Sequence, residues 1–495
     1  MQRIVLLLGI IIGLAGGVQA ADTAYQKAIQ LFKNHHYETA YNLLYSDLKN
    51  NDSEPNEPSY LTLGLICLEN AKLYRELYRI ALAVNLDYYT RLIADDGENR
   101  SRLVNLYLGR TLLQTGQFSE STGFFKKFIE DDHTSMSDRQ LAQIGIGAAY
   151  FVNGKTKLAE RHWSELNLTE PTAVAAMADA YSRVGLEDKN PAEMCETALG
   201  PFTNNGQKIP IQIVNHALGV FARAGRLDES QRLLEKADLR IYFHEETLSK
   251  NKVIRFYDAG LLANLSLAHG RAAAAFLEKT TGSANEKIRW AGQFYLCETY
   301  EQIGQAEQAL QMSAALLADG AIPSALKIRS RIRQAALNHF LGRPAEAAKA
   351  LDDILESKLD PNTVADVLLT CCRHGWDYSP AVIRAVEASK EGSGPVYAKV
   401  NFALGKYHLW KKEYLKAAAY MEAGRDKSNK NRIEYNDPLM LINLADAYYY
   451  SRQFSEALEI FFEMSKEFPA VRQIQVAMQG VYSMEQQSAG DAKIF

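Results

Sequence analysis

Cysteine is scarce in this chain. Five cysteines in 495 residues (Cys67, Cys195, Cys297, Cys371 and Cys372) are too few and too odd in number for a disulfide framework. Each reads instead as a small buried apolar residue, with Cys371-Cys372 the one pair that could bridge or react. Thirteen prolines and 31 glycines exclude collagen-like and low-complexity character. A basic excess is also missing: 55 Lys+Arg against 59 Asp+Glu leaves −4, which argues against a nucleic-acid binder. No charge-free run approaches the ~20 apolar residues that span a bilayer. What is plentiful is apolar residues, at 47% of the chain, enough for an extensive core.

Residues 1–20 read as a secretion signal. Arg3 provides the positive start, Ile4 to Ala15 the apolar stretch, and Val18-Gln19-Ala20 the small-x-small cleavage site. Gly17 stands where a bacterial lipobox would place its lipidated cysteine, so no lipid anchor is expected. The mature chain should begin near Ala21, carry no transmembrane segment, and reside in a bacterial periplasm.

A repeat emerges when small residues are aligned. From Gly147, Tyr150 follows at three, Gly154 at seven, Ala159 at twelve, Trp163 at sixteen and Pro171 at twenty-four. Ala445, Tyr448, Arg452, Ala457, Phe461 and Pro469 repeat these offsets. Further copies start at Gly109, Cys297 and Ala335, and weaker ones at Leu218, Ala263 and Gly405. The turn position recurs at 116, 154, 185, 225, 270, 304 and 342, then near 412 and 452. Each unit contains two amphipathic segments with apolar positions at i, i+3, i+4 and i+7. Small residues at the origin and twelve later allow close helix approach, and the aromatic at sixteen fills the wedge. Prolines 210, 323, 344 and 438 fall at expected first turns of helices, and none of the thirteen need sit inside one.

The pattern resembles the tetratricopeptide repeat, whose signature has a large residue, Leu-Gly, Tyr, Ala, Phe and Pro at these spacings. The resemblance covers most of Tyr25 to Ala470 and implies an all-α solenoid of about 11–12 stacked helix-turn-helix units. The expected division is a signal peptide at 1–20, N-terminal repeats at 21–95, a central solenoid at 96–390, C-terminal repeats at 391–470, and a capping helix with tail at 471–495. Glu391 to Pro395 is the expected hinge.

Catalytic motifs carry little weight. Ala149 to Thr156 matches a permissive phosphate loop, but on a helix and its turn rather than after a strand. His244-Glu245 lacks a second histidine at the zinc-protease spacing, and Cys371 with His374 makes an incomplete metal site. Asn99, Asn167 and Asn264 begin formal glycan acceptors that a bacterial leader discounts. No cofactor, no metal and no enzymatic activity are therefore expected.

In the tetratricopeptide family the first helices line a partner-binding groove. Carried over repeat by repeat, that implies Phe151 with Val152; Glu298, Glu301 and Gln302; His339 and Phe340; Phe402, Leu409 and Trp410; and Asp446, Tyr449 and Tyr450. Arg329, Arg331 and Arg333 form a basic ridge expected to face solvent, with an anionic partner as the alternative. The reading is a non-enzymatic scaffold holding envelope proteins of an assembly, secretion or polysaccharide-export machine. The alternative is a carbohydrate-binding solenoid for exopolysaccharide, resting on the groove aromatics.

Overall fold

The computed structural model describes residues 23–467, apart from 35–36, 51–56, 97–102, 133, 205–208, 237–242, 250–251, 258, 356–359, 390–393 and 426–437. The expected signal peptide, capping helix and most of the hinge segment lie outside the described residues. No described helix is long and apolar enough to cross a membrane.

Twenty-two α-helices are described. They begin with α1 (Thr23–Lys33), α2 (Tyr37–Asn50) and the 40-residue α3 (Glu57–Asp96). Next come α4 (Leu103–Gln114), α5 (Phe118–Ile129), α6 (Met136–Val152), α7 (Thr156–Ser164), α8 (Pro171–Arg183), α9 (Pro191–Asn204), α10 (Ile211–Arg223) and α11 (Leu227–Lys236). After a hairpin of strands β1 (Phe243–Ser249) and β2 (Lys252–Tyr257) the chain enters α12 (Ala259–Glu278). Five helix pairs follow: α13 (Glu286–Gln302) with α14 (Ala306–Ala318), α15 (Ser324–Phe340) with α16 (Pro344–Leu355), α17 (Pro361–Arg373) with α18 (Ser379–Ser389), α19 (Pro395–Trp410) with α20 (Tyr414–Gly424), and α21 (Pro438–Tyr450) with α22 (Phe454–Glu467).

The offsets read from sequence have a direct physical meaning here. A Cβ on Gly147 would meet the indole of Trp163 at 2.0 Å, one on Gly109 the ring of Phe125 at 2.8 Å, and one on Gly405 the side chain of Met421 at 2.4 Å. Each partner lies sixteen residues on, so the large residue of a second helix rests on the bare backbone of the first. At twelve residues the small residue closes the pair: Ser121 Oγ donates to the Gly109 carbonyl at 2.7 Å, and Cys297 Sγ to the Ala309 carbonyl at 3.1 Å. Between paired helices the turn residue is left-handed, with φ of 81° at Gly116, 76° at Gly154 and 80° at Gly304. Lys412 and Arg452 adopt the same conformation, at 60° and 63°, where the repeat has lost its glycine. All five cysteines are buried, free thiols.

Three details depart from expectation. Gly270 marks no turn, because α12 runs straight through it. Pro201 sits inside α9, where its ring removes a helix hydrogen bond. The antiparallel hairpin, in which Phe243 pairs with Tyr257 and Glu245 with Arg255, is the one sheet among the described residues.

The described helices divide into two compact units. One joins the residues through Leu73 to those from Ala272 onward, and the other comprises Tyr74–Arg271. The first unit is thus discontinuous in sequence. Its largest core cluster mixes Phe32, Leu61, Leu65 and Leu68 with Leu277, Trp290, Phe294 and Leu316. A Cβ on Gly64 would meet Leu277 at 2.6 Å, so α3 and α12 approach closely there. In the second unit, separate clusters form around Phe125 and Phe128 and around Trp163 and Met177.

Candidate functional site

The first helices of the first unit, α13, α15, α17, α19 and α21, each carry polar residues in the stripe between their apolar contacts. Spacings of three, four and seven residues keep these on one side of each helix. On α13 the stripe contains Glu298 and Glu301; on α15, Arg329, Arg333 and Phe340; on α17, Asp366 and Arg373; on α19, Lys399, Phe402 and Lys406; and on α21, Asn443, Asp446 and Tyr450.

A chain of ion pairs crosses from helix to helix. Glu298 is 2% exposed, yet it binds Lys72 of α3 at 2.6 Å and Arg333 at 2.8 Å. Arg333 also donates to the Phe294 carbonyl at 3.1 Å and lies over the Phe294 ring. Its Nε stands 3.5 Å from Glu301, which in turn meets Arg373 at 2.9 Å and His374 at 3.3 Å. Burial pushes the Glu301 carboxyl up, but Arg373, His374 and Arg333 outweigh it and hold the group well below the ordinary glutamate range. On the next helices Asp366 binds Arg329 at 3.5 Å and Lys399 at 2.9 Å, and Lys406 donates to Asn443 at 2.7 Å. The expected solvated ridge is therefore corrected. Arg329 and Arg333 turn inward to these carboxylates, and only Arg331 of the three is exposed.

The aromatic candidates divide. Phe340 is 60% exposed, its edge against His374 at 5.8 Å, while His339 beside it stacks on Trp376 at 4.7 Å. Phe402 is half-buried and Leu409 buried. Trp410 is half-buried beneath Lys411, whose ammonium lies 4.6 Å from the ring centre, with Tyr407 tilted alongside. Tyr449 is buried, and Tyr450 is partly open but stacks on Tyr414 at 4.8 Å. Asp446 is buried on the same helix, and Gln302 donates to the Ala71 carbonyl at 3.3 Å. Phe151 and Val152 belong to the second unit, where Phe151 stacks on Trp163 and Val152 is exposed.

The second unit has its own buried polar centre. Asp179 on α8 accepts from Arg183 at 3.0 Å and from Arg223 of α10, and meets His216 Nδ1 at 3.0 Å. Asn264 of α12 joins through Arg183 and Asn215. Burial acts to raise the Asp179 carboxyl, but Arg183, Arg223 and His216 hold it far below the aspartate range. Sequence reasoning singled out Glu298 and Glu301, and named Arg333, His374 and Asn264 only in other roles, so neither the pairing nor this cluster was foreseen. The available signal was a charged residue recurring on the inward side of first helices about one repeat apart.

Paired helices, a left-handed turn and large residues seated on small ones sixteen positions back define the architecture. This geometry is similar to that of tetratricopeptide repeats. No protein-family model and no curated protein matches the chain. Among solved structures it is similar to yeast Tom70, at 10% identity over 94% of this chain and 96% of that one, with a TM-score of 0.32. It is also similar to the APC/C hetero-tetramer Cut9-Hcn1, at 13% identity over 96% and 98%, with a TM-score of 0.27. The TPR domain of P58(IPK) shares 16% identity over 78% and 98%, at a TM-score of 0.22. Superpositions this loose add nothing to the repeat geometry of the chain itself. Among the described residues no group of His, Cys, Asp or Glu could hold a metal ion.

Proposed function

We propose that this chain is a non-enzymatic scaffold whose first-helix face in the first unit holds a segment of a partner protein. Stacked helical repeats present extended surfaces suited to this task. The observation that carries the reading is two sets of ion pairs, one from Lys72 through Glu298, Arg333 and Glu301 to Arg373 and one joining Arg329, Asp366 and Lys399, with an exposed Phe340 beside them. Burying charge is a poor way to stabilise a repeat stack, since apolar side chains of similar size hold helices together as well or better. Charged groups fixed on one face, beside an apolar ring left open, suit recognition.

The sugar-binding alternative needs aromatic faces open to solvent. Tyr449 is buried, Trp410 lies under Lys411, and Tyr450 is stacked on Tyr414, which favours a peptide partner. The leader-like residues 1–20 support placing the scaffold in a bacterial periplasm, among proteins of an envelope assembly or export machine. A photo-crosslinking residue at position 340, compared with one at the exposed Phe462 of α22, tests the reading in cells producing the protein. A discrete protein adduct from position 340 alone is expected. Equal labelling from both, or none from either, would refute it.

A further inference from the structure

This inference rests on the scaffold reading and names the chemistry of the partner segment. Charge is unevenly shared within the three middle hairpins of the first unit. Their first helices, α15, α17 and α19, carry seven cations (Lys327, Arg329, Arg331, Arg333, Arg373, Lys399 and Lys406) against one carboxylate, Asp366. Their second helices, α16, α18 and α20, carry three cations against five carboxylates. The chain as a whole is −4, so the cationic excess is local to the first helices.

On the inward stripe three acids share five Lys or Arg side chains, Arg333 serving two of the acids and Lys72 also holding Glu69. Glu301 meets Arg333, Arg373 and His374; Asp366 meets Arg329 and Lys399; Glu298 meets Lys72 and Arg333. Arg333 is as buried as the carboxylates it binds, at 6% exposed, but two of the cations lie nearer the surface. The side chains of Glu298, Asp366 and Glu301 are 2%, 5% and 6% exposed, whereas Arg373 is 34% and Lys399 21%. Carboxylates at the floor hold the cation heads above them in fixed orientations, which reduces the ordering cost of binding an anion. Arginine forks match carboxylates in particular.

We propose that this face binds an extended, internal acidic peptide segment. Its Asp or Glu side chains would lie on Arg373, Lys399 and the outer edge of Arg329, with an apolar residue covering Phe340. A peptide can place carboxylates on these cations and an apolar side chain on Phe340 together, whereas the other groove aromatics, Trp410, Tyr449 and Tyr450, are covered and leave Phe340 alone as a platform for a sugar.

Fluorescence anisotropy on the full chain tests this with a C-terminally amidated peptide of alternating Glu and Ser around one Phe. An oligogalacturonate and the matching Gln-for-Glu peptide serve as comparison probes. The Glu peptide should bind tightest, lose affinity as salt rises, and be weakened about tenfold or more, ~1.4 kcal/mol, by the double substitution Arg373→Gln with Lys399→Gln. That variant should keep its fold, since Glu301 retains Arg333 and His374 and Asp366 retains Arg329; an unchanged circular dichroism spectrum checks it. Lys416→Gln on α20, 64% exposed, should leave binding unaltered. Tighter binding of the galacturonate, equal binding of the Gln peptide, or equal weakening by Lys416→Gln would overturn the proposal. A partner adduct at position 340 with no affinity for the Glu peptide would leave the scaffold reading intact and sink this one.

Discussion

Replacing Arg333 with Met tests whether the ion-pair chain is as tightly coupled as its geometry indicates. The side chain is 6% exposed, donates to Glu298 and to the Phe294 carbonyl, and approaches Glu301 at 3.5 Å. Methionine retains most of the apolar stem that covers Phe294 and removes the charge. Removing one partner of a buried pair costs about 3–5 kcal/mol when the other charge is stranded. Here Glu298 keeps Lys72 and Glu301 keeps Arg373, so the expected loss lies at the lower end, about 3 kcal/mol. Adding Glu298→Gln should cost less than the sum of the two single changes, by about 1 kcal/mol or more. Urea unfolding followed by tryptophan fluorescence reads this unit well, because it contains Trp290, Trp376 and Trp410 of the chain's four tryptophans. Arg331→Met, on the exposed side of the same helix, is the control and should change stability by no more than about 0.5 kcal/mol. If Arg333→Met cost no more than that control, the coupled-network argument would be wrong. The pH dependence follows from the depressed Glu301 carboxyl. Its contribution is present above the ordinary glutamate value of 4.5 and is lost as pH falls below it, so acid should weaken the native state.

Three further outcomes can be checked independently. Gly147→Ala should destabilise the second unit by about 1–3 kcal/mol through overpacking against Trp163, whereas Gly154→Ala meets open space and costs only left-handed strain of about 1–2 kcal/mol; thermal unfolding compares them. His269, stacked on Tyr74, has its imidazole pulled down to about 4 by burial, below the ordinary 6.5. Native stability should therefore decline as pH falls from 6.5 toward 4, less steeply in His269→Gln, as urea midpoints across that range would record. Thiol reagents should leave the folded chain unlabelled at pH 8, since burial pushes Cys297 and Cys372 up to about 12, and all five cysteines should react once it is denatured.

The helix-pair register was legible because it is a local property. Gly147 and Trp163 lie sixteen residues apart in the chain and touch in space, so spacing alone exposes the contact. The same local logic failed at Gly270, where a glycine with the right neighbours sits within a continuous helix; nothing in a short window distinguishes a closing turn from a helical glycine. The 40-residue α3 within the expected N-terminal repeats has apolar residues on all sides of its axis and so offers no amphipathic rhythm to follow. The candidate face was half legible. Repeat positions located Glu298, Glu301 and Phe340, but the partners of the acids come from other repeats. Arg333 lies 35 residues from Glu298, and Arg373 lies 72 from Glu301. Three arginines two residues apart read as a solvated ridge because local sequence does not reveal which carboxylate the next helix presents.

The discontinuous first unit also bears on how the chain is made. Phe32, Leu61 and Leu65 leave the ribosome early, but Leu277, Trp290 and Phe294, which cover them, follow after about 200 more residues. At roughly 5–20 residues per second, synthesis of that interval takes about 10–40 s. Through that delay the nascent chain carries uncovered oily surface, a period in which a holding chaperone would have something to grip.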